Sequence, residues 1–199
     1  KRRSRRVTTS KDAAVEAVLR PAMAVLGAGS WGTALAVHLA RTGHPTVLWG
    51  RDAAQMAALA AARCNARYLP MTPFPESLRL ESDLARAVAA AQELLLAVPS
   101  HGFRECLVHV APLLRDGMRV AWATKGFELD SGKLPHQVAN EVLGIGVPKA
   151  VLSGPTFARE VGLGLPTAMT VASRDQDYAL ALARALSGQH FRAYASTDV

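Results

Sequence analysis

Half of the 199 residues are hydrophobic, enough for one large domain or one and a half with a sizeable buried core. No apolar run approaches the ~20 residues that cross a bilayer, so the chain is expected to be soluble, without membrane insertion. The 23 basic and 16 acidic residues leave a net charge of +7, but Lys1, Arg2, Arg3, Arg5 and Arg6 supply five of it, so the excess reads as a solvated tail and nucleic acid is not the expected partner.

Residues 1–20 are expected to form a basic, disordered tail or an upstream extension. From Pro21 onward, short apolar runs alternate with longer helical patterns. In chain order these are a strand over Ala22–Leu26, a helix over Trp31–Arg41, a strand over Thr46–Trp49 and a helix over Ala53–Ala62. In the segment NARYLPMTPFPESL, Asn65–Leu78, three prolines break both periodicities, which predicts an ordered excursion over the surface. A helix over Ser82–Ala90, a strand over Leu94–Val98, a helix over Phe103–Leu114, a strand over Arg119–Ala123 and a helix over Leu134–Val142 follow. Strands over Lys149–Leu152 and Ala168–Ala172, a helix over Asp175–Leu186 and a strand over Phe191–Tyr194 complete the chain. Such alternation implies βαβ units, and predicts for 21–199 an α/β, doubly wound, mostly parallel sheet, Rossmann-like, which the glycine turn after its first strand makes a dinucleotide-binding domain.

Between the first strand and its helix stands Gly27-Ala28-Gly29-Ser30-Trp31-Gly32, a G-x-G-x-x-G turn in the context that motif needs. Gly27 permits the tight turn, Gly29 lets backbone approach a pyrophosphate, and Gly32 allows close packing of helix on strand. Free amides at the helix start then face the phosphates. The second strand ends in Arg51, where an adenine ribose would lie; an arginine there can meet a 2′-phosphate, which favours NADP and leaves NAD open. Asp52 follows directly, and a solvated loop arginine is nearly as good a reading of Arg51 alone. Pro99 and Phe103, in AVPSHGF, suit either a cofactor contact or ordinary loop and core. Lys125, Gly154, Pro155 and Thr156 lie just beyond later strands, the edge where ligands of such sheets bind.

Taken together, GAGSWGTALA, NARYLP, AVPSH, ATKGFE, SGPTFAREV and LPTA, in this order from about Met23 to the end, resemble the bacterial NAD(P)-dependent glycerol-3-phosphate dehydrogenase family. The resemblance implies cofactor contacts at Ser30, Trp31, Arg51, Lys125 and Ala158 beside the glycines, and substrate contacts at Lys125, Gly154 and Thr156. It implies hydride transfer between NAD(P)H and dihydroxyacetone phosphate, giving sn-glycerol 3-phosphate for phospholipid synthesis, with Lys125 in a supporting catalytic role. In the family, a motif like STDV precedes the lysine that donates the proton, and then an all-helical substrate domain; both are expected beyond Val199, so this fragment alone is expected to be inactive. A homodimer of the full-length protein is left open. Two other readings share the glycine turn: an NADP-binding redox sensor without catalysis, and a dehydrogenase of the ketopantoate or 2-hydroxy-acid type. The histidines at 38, 44, 101, 109, 136 and 190 lack ligand spacing, so no metal is expected, and His38 reads as a satisfied packing residue. Cys64 and Cys106 form no C-x-x-C pair and suit a reducing cytoplasm.

Overall fold

The computed structural model describes residues 20–199, so the expected basic tail before Arg20 lies outside the described residues. From the amino end the elements are β1 (Met23–Leu26), α1 (Ser30–Arg41), β2 (Thr46–Trp49), α2 (Ala53–Ala62), β3 (Cys64–Asn65), β4 (Leu69–Pro73), β5 (Leu78–Glu81) and α3 (Leu84–Ala89). Then come β6 (Glu93–Leu96), α4 (Ser100–Val110), β7 (Arg119–Trp122), α5 (Pro135–Leu143), β8 (Lys149–Ser153), α6 (Ala158–Leu163), β9 (Thr167–Ala172), α7 (Gln176–Leu186) and β10 (Phe191–Ser196). Eight strands make one sheet in the order β10-β9-β8-β7-β6-β1-β2-β5, while β3 and β4 pair apart from it as an antiparallel hairpin.

β1 and β6 are buried along their whole length because the sheet is covered on both faces. Successive residues point to opposite sides. Val25, Leu48 and Leu95 join Leu35 and Leu39 of α1 and Leu182 of α7 in one core. Leu26, Val47 and Leu96 join Phe103 and Leu107 of α4 and Trp122 in the other. The strand order reverses between β1 and β6, which are parallel neighbours, so their carboxyl ends flank the crevice of a doubly wound sheet.

Four differences from the sequence reading stand out. Within the eight-stranded sheet β8 and β9 pair antiparallel, so β9 and β10 run against the other six strands of a sheet that is mostly parallel, as expected. The proline-rich excursion is ordered but less superficial than expected: Asn65, Leu69, Thr72 and Phe74 are buried, and its end passes into β5, an edge strand parallel to β2. α3 starts at Leu84 because Asp83, not a residue of the helix, accepts the Arg86 N–H and caps it. The helix α6, hidden among glycines and prolines, follows β8.

Candidate functional site

The turn from β1 into α1 contains three glycines with unequal reasons to be glycine. Gly27 has φ +122°, and a Cβ built there would stand 2.7 Å from the Ala97 carbonyl oxygen. At Gly32 a Cβ would overlap the Gly27 carbonyl oxygen and stand 3.2 Å from the Ala97 Cβ, so α1 lies directly on the turn and on β6's end. Gly29 has an ordinary φ of −78°, and a Cβ there would meet no heavy atom within 4 Å. The fold requires Gly27 and Gly32; nothing within the chain requires Gly29.

The helix that begins here carries no acid in its first turn and no side-chain cap, and neither does α4, which begins beside it after β6. By contrast Asp52, Asp83 and Asp175 cap α2, α3 and α7 by accepting backbone N–H groups. Two helix starts with free amides and no acid in the first turn, at the point where the strand order reverses, suit an anion.

Arg51 is exposed just beyond β2, next to Gly50, where a Cβ would stand 3.0 Å from the Ala28 Cβ; β2's end therefore leans on the glycine turn. Asp52, its acidic neighbour, is engaged at 3.0 Å by the Gln55 N–H. The acid thus caps helix α2, while both side chains remain exposed at the end of β2.

Lys125 follows β7, and its Nζ lies 5.9 Å from the centroid of the Trp31 ring, so the structure brings the glycine turn and the lysine loop together. The Trp31 Nε1 is buried without an acceptor. Thr124 Oγ1 donates to the Val98 carbonyl at 2.8 Å and ties the ends of β6 and β7. Further along, Arg104 grips Glu128 with two bonds of 2.7 and 2.9 Å and reaches Glu141 at 2.7 Å, while Lys133 pairs with Glu141. Hydrogen bonds from Arg104 and Ser131 hold the Glu128 carboxyl down at about 2. The lysine loop is thus fastened to α4 and α5 by ions rather than by packing.

Gly154 and Thr156 lie beyond β8, the strand next to β7. A Cβ at Gly154 would stand 3.0 Å from the Ala168 carbonyl oxygen, which gives this glycine a packing reason of its own. Thr156 Oγ1 is buried and unpartnered, a hydroxyl held ready for a bond. Ala158 opens α6, whose start is closed by Glu160 accepting the Phe157 N–H at 3.3 Å. Of the residues in AVPSHGF, Phe103 is core, edge-on to Trp122 at 5.7 Å, and Pro99 is exposed at the start of α4. His38 donates to the Leu186 carbonyl at 2.6 Å and stacks on Phe191. A cleft of about 270 Å³ lined by His136, Lys149 and Arg174 surrounds the amino end of β8, away from this arrangement. Cys64 and Cys106 are free thiols, and no cluster of three metal-ligating side chains occurs among the described residues.

Sequence reasoning passed over Asn65. Its amide nitrogen donates to the Ala28 carbonyl at 3.1 Å and to Thr33 Oγ1 at 2.8 Å, and its oxygen accepts the Tyr68 N–H at 3.3 Å. A lone asparagine in a proline-rich stretch reads as turn chemistry, and only its position beside NARYLP's other residues distinguished it.

These features define the class: a doubly wound α/β domain of Rossmann type, with an anion-ready glycine turn at its crevice. A family model described as the N-terminus of NAD-dependent glycerol-3-phosphate dehydrogenase matches residues 22–179. The glycerol-3-phosphate dehydrogenase (NAD(P)+) of Aeromonas salmonicida (strain A449) is 56% identical over 178 residues, 89% of this chain and 53% of that protein. That of Xanthomonas euvesicatoria pv. vesicatoria (strain 85-10) is 56% identical over 177 residues, 89% of this chain and 52% of its own length. The crystal structure of glycerol-3-phosphate dehydrogenase from Coxiella burnetii superposes with a TM-score of 0.85 at 42% identity, over 90% of this chain and 55% of that one. The chain belongs to the NAD-dependent glycerol-3-phosphate dehydrogenase family, matching its N-terminal region, and spans about half the length of the curated relatives.

Proposed function

We propose that this chain is the cofactor-binding part of a cytoplasmic glycerol-3-phosphate dehydrogenase that takes NADP(H) in preference to NAD(H). The observation that carries the reading is Gly29, whose missing Cβ leaves a cradle that no described residue fills. The free amides at the start of α1 face a diphosphate there, and Arg51 pairs with the 2′-phosphate. The bound nicotinamide supplies the hydride that reduces the carbonyl carbon of dihydroxyacetone phosphate to sn-glycerol 3-phosphate. Lys125, beside Trp31, holds a positive charge near the phosphorylated ketone and favours the negative charge that develops on the carbonyl oxygen. Gly154 lets the β8 loop pack against β9, and Thr156 beside it offers its free hydroxyl to the substrate.

Gly29→Val tests this directly. Calorimetric titration with NADPH is expected to lose its binding signal while circular dichroism and melting temperature stay at wild-type values, because the valine fills only the phosphate path. Unchanged affinity in a folded variant would overturn the assignment. In Arg51→Ala, the ratio of NADPH to NADH affinity is expected to fall about tenfold, the loss of one charge-assisted contact; an unaltered ratio would remove Arg51 from the site.

A further inference from the structure

The peptide joining Ala28 to Gly29 stands at the crest of the glycine turn and is trans, as are all the described peptides. In a trans peptide the carbonyl and the following N–H point in opposite directions. Whatever holds the Ala28 oxygen inward therefore turns the Gly29 N–H outward. No acceptor among the described residues takes that N–H. The group that holds the oxygen is the Asn65 carboxamide, fully buried beneath the turn.

The orientation of that carboxamide is fixed by what surrounds it. The Ala28 carbonyl can only accept and the Tyr68 N–H can only donate, so the nitrogen must face the first and the oxygen the second. Thr33 Oγ1, also buried, takes the remaining N–H. The hairpin bearing Asn65 has its own anchorage: a Cβ at Gly162 of α6 would come within 2.8 Å of Leu69, and Arg41 of α1 donates to the Gly162 carbonyl. Asn65 thus reaches the turn from a base that does not depend on the turn.

We propose that Asn65 is a positioning residue: by clamping the Ala28 carbonyl it fixes the peptide that presents the Gly29 N–H to the diphosphate of a dinucleotide. This rests on the nucleotide reading of the site. An aspartate has the same shape but, ionised, cannot donate and repels the Ala28 oxygen. Asn65→Asp is expected to weaken NADPH and ADP binding by about tenfold or more, both ligands carrying the diphosphate. Thr33→Val removes the other acceptor, leaves the Ala28 bond in place, and is expected to lower the melting temperature while changing affinity less than about twofold. Asn65→Ala, without added charge, is expected to lose NADPH affinity in the same direction, and serves if the aspartate does not fold. The clamp is overturned if a folded Asn65 variant binds NADPH as wild type does, or if the Thr33 and Asn65 variants lose affinity in parallel with stability. Wild-type protein that bound neither NADPH nor ADP would overturn the nucleotide reading itself, and the clamp with it.

Discussion

The glycine turn after β1 and the lysine loop after β7 meet where Lys125 approaches the Trp31 ring, yet they are secured by different physics. The turn is locked by close packing: backbone lies on backbone at Gly27 and Gly32, and a buried carboxamide supports it from below. The loop is secured by ion pairs in which Arg104 bridges the half-buried Glu128 and the exposed Glu141. Close packing gives a position that cannot relax by a fraction of an ångström. Ion pairs at the surface give one that solvent, salt and small rearrangements can alter. A site assembled from both has a rigid half for the invariant part of its ligand and an adjustable half beside it.

The largest expected break in this contrast is Gly32→Ala. The added methyl would collide with the Gly27 carbonyl, which is itself pressed against Ala97, so roughly 3 kcal/mol or more of stability should be lost. Chemical denaturation would measure it, and a variant as stable as wild type would show that the turn yields more easily than its geometry implies. Gly29→Val is its companion, with binding lost and stability kept.

Arg104→Ala should do the reverse. Global melting should fall by only a few degrees, since the pairs it breaks lie at or just beneath the surface. The loop should become susceptible to trypsin at Lys125 and Lys133, with NADPH affinity nearly intact. Cleavage rates equal to wild type would mean that packing, not charge, holds the loop.

The smallest effect separates the two halves by pH. Burial lowers the pKa of His38, at the carboxyl end of α1, and of His44 below the ordinary 6.5, despite their carbonyl partners. Each is neutral when folded, whereas the unfolded chain protonates first. Stability from this source is therefore complete above about pH 6.5 and declines as pH falls toward the lowered folded values. Glu128, held at about 2, stays ionised throughout that window. Between about pH 7.5 and about pH 5.5 the melting temperature should fall while trypsin cleavage at Lys125 stays constant. Loop cleavage that rose together with the loss of stability would join the halves into one unit.

The alternation of apolar runs and helical patterns made the sheet, its central strands and the crevice legible, because strands buried on both faces have few disguises. Edge and connection were harder. Leu78–Glu81 reads LRLE, an edge strand whose charged residues resemble the approach to a helix, and it follows three prolines. Six residues of α6 lie between Gly154-Pro155 and Gly164, a composition that signals loop. Nothing local encodes that β9 turns back against β8; strand direction depends on where the connection lands, not on the strand's own residues. At the site, the motif identified the glycines, but which of them the fold itself requires depends on Ala97, a residue seventy positions from Gly27 in the chain. The contacts of Asn65 with Ala28 and Thr33 likewise depend on partners that spacing does not disclose.

The outermost strands, β5 and β10, decide whether this sheet ends or recruits more chain. An open strand edge is a template for further strands and hence for fibres. Here some of the outward backbone groups on both edges are taken by the protein's own donors and acceptors. Arg63 donates to the Leu78 carbonyl at 3.1 Å, occupying a group that a ninth strand would need. At the opposite margin, Ser187 Oγ accepts the Ala193 N–H at 3.2 Å and the Gly188 N–H binds the Phe191 carbonyl at 2.9 Å. Exposed arginines at Arg79 and Arg192 add like charge to any copy that approaches edge to edge. Each margin of the described sheet thus has some of its outward backbone groups already occupied and an arginine beside them, which raises the cost of edge-to-edge pairing.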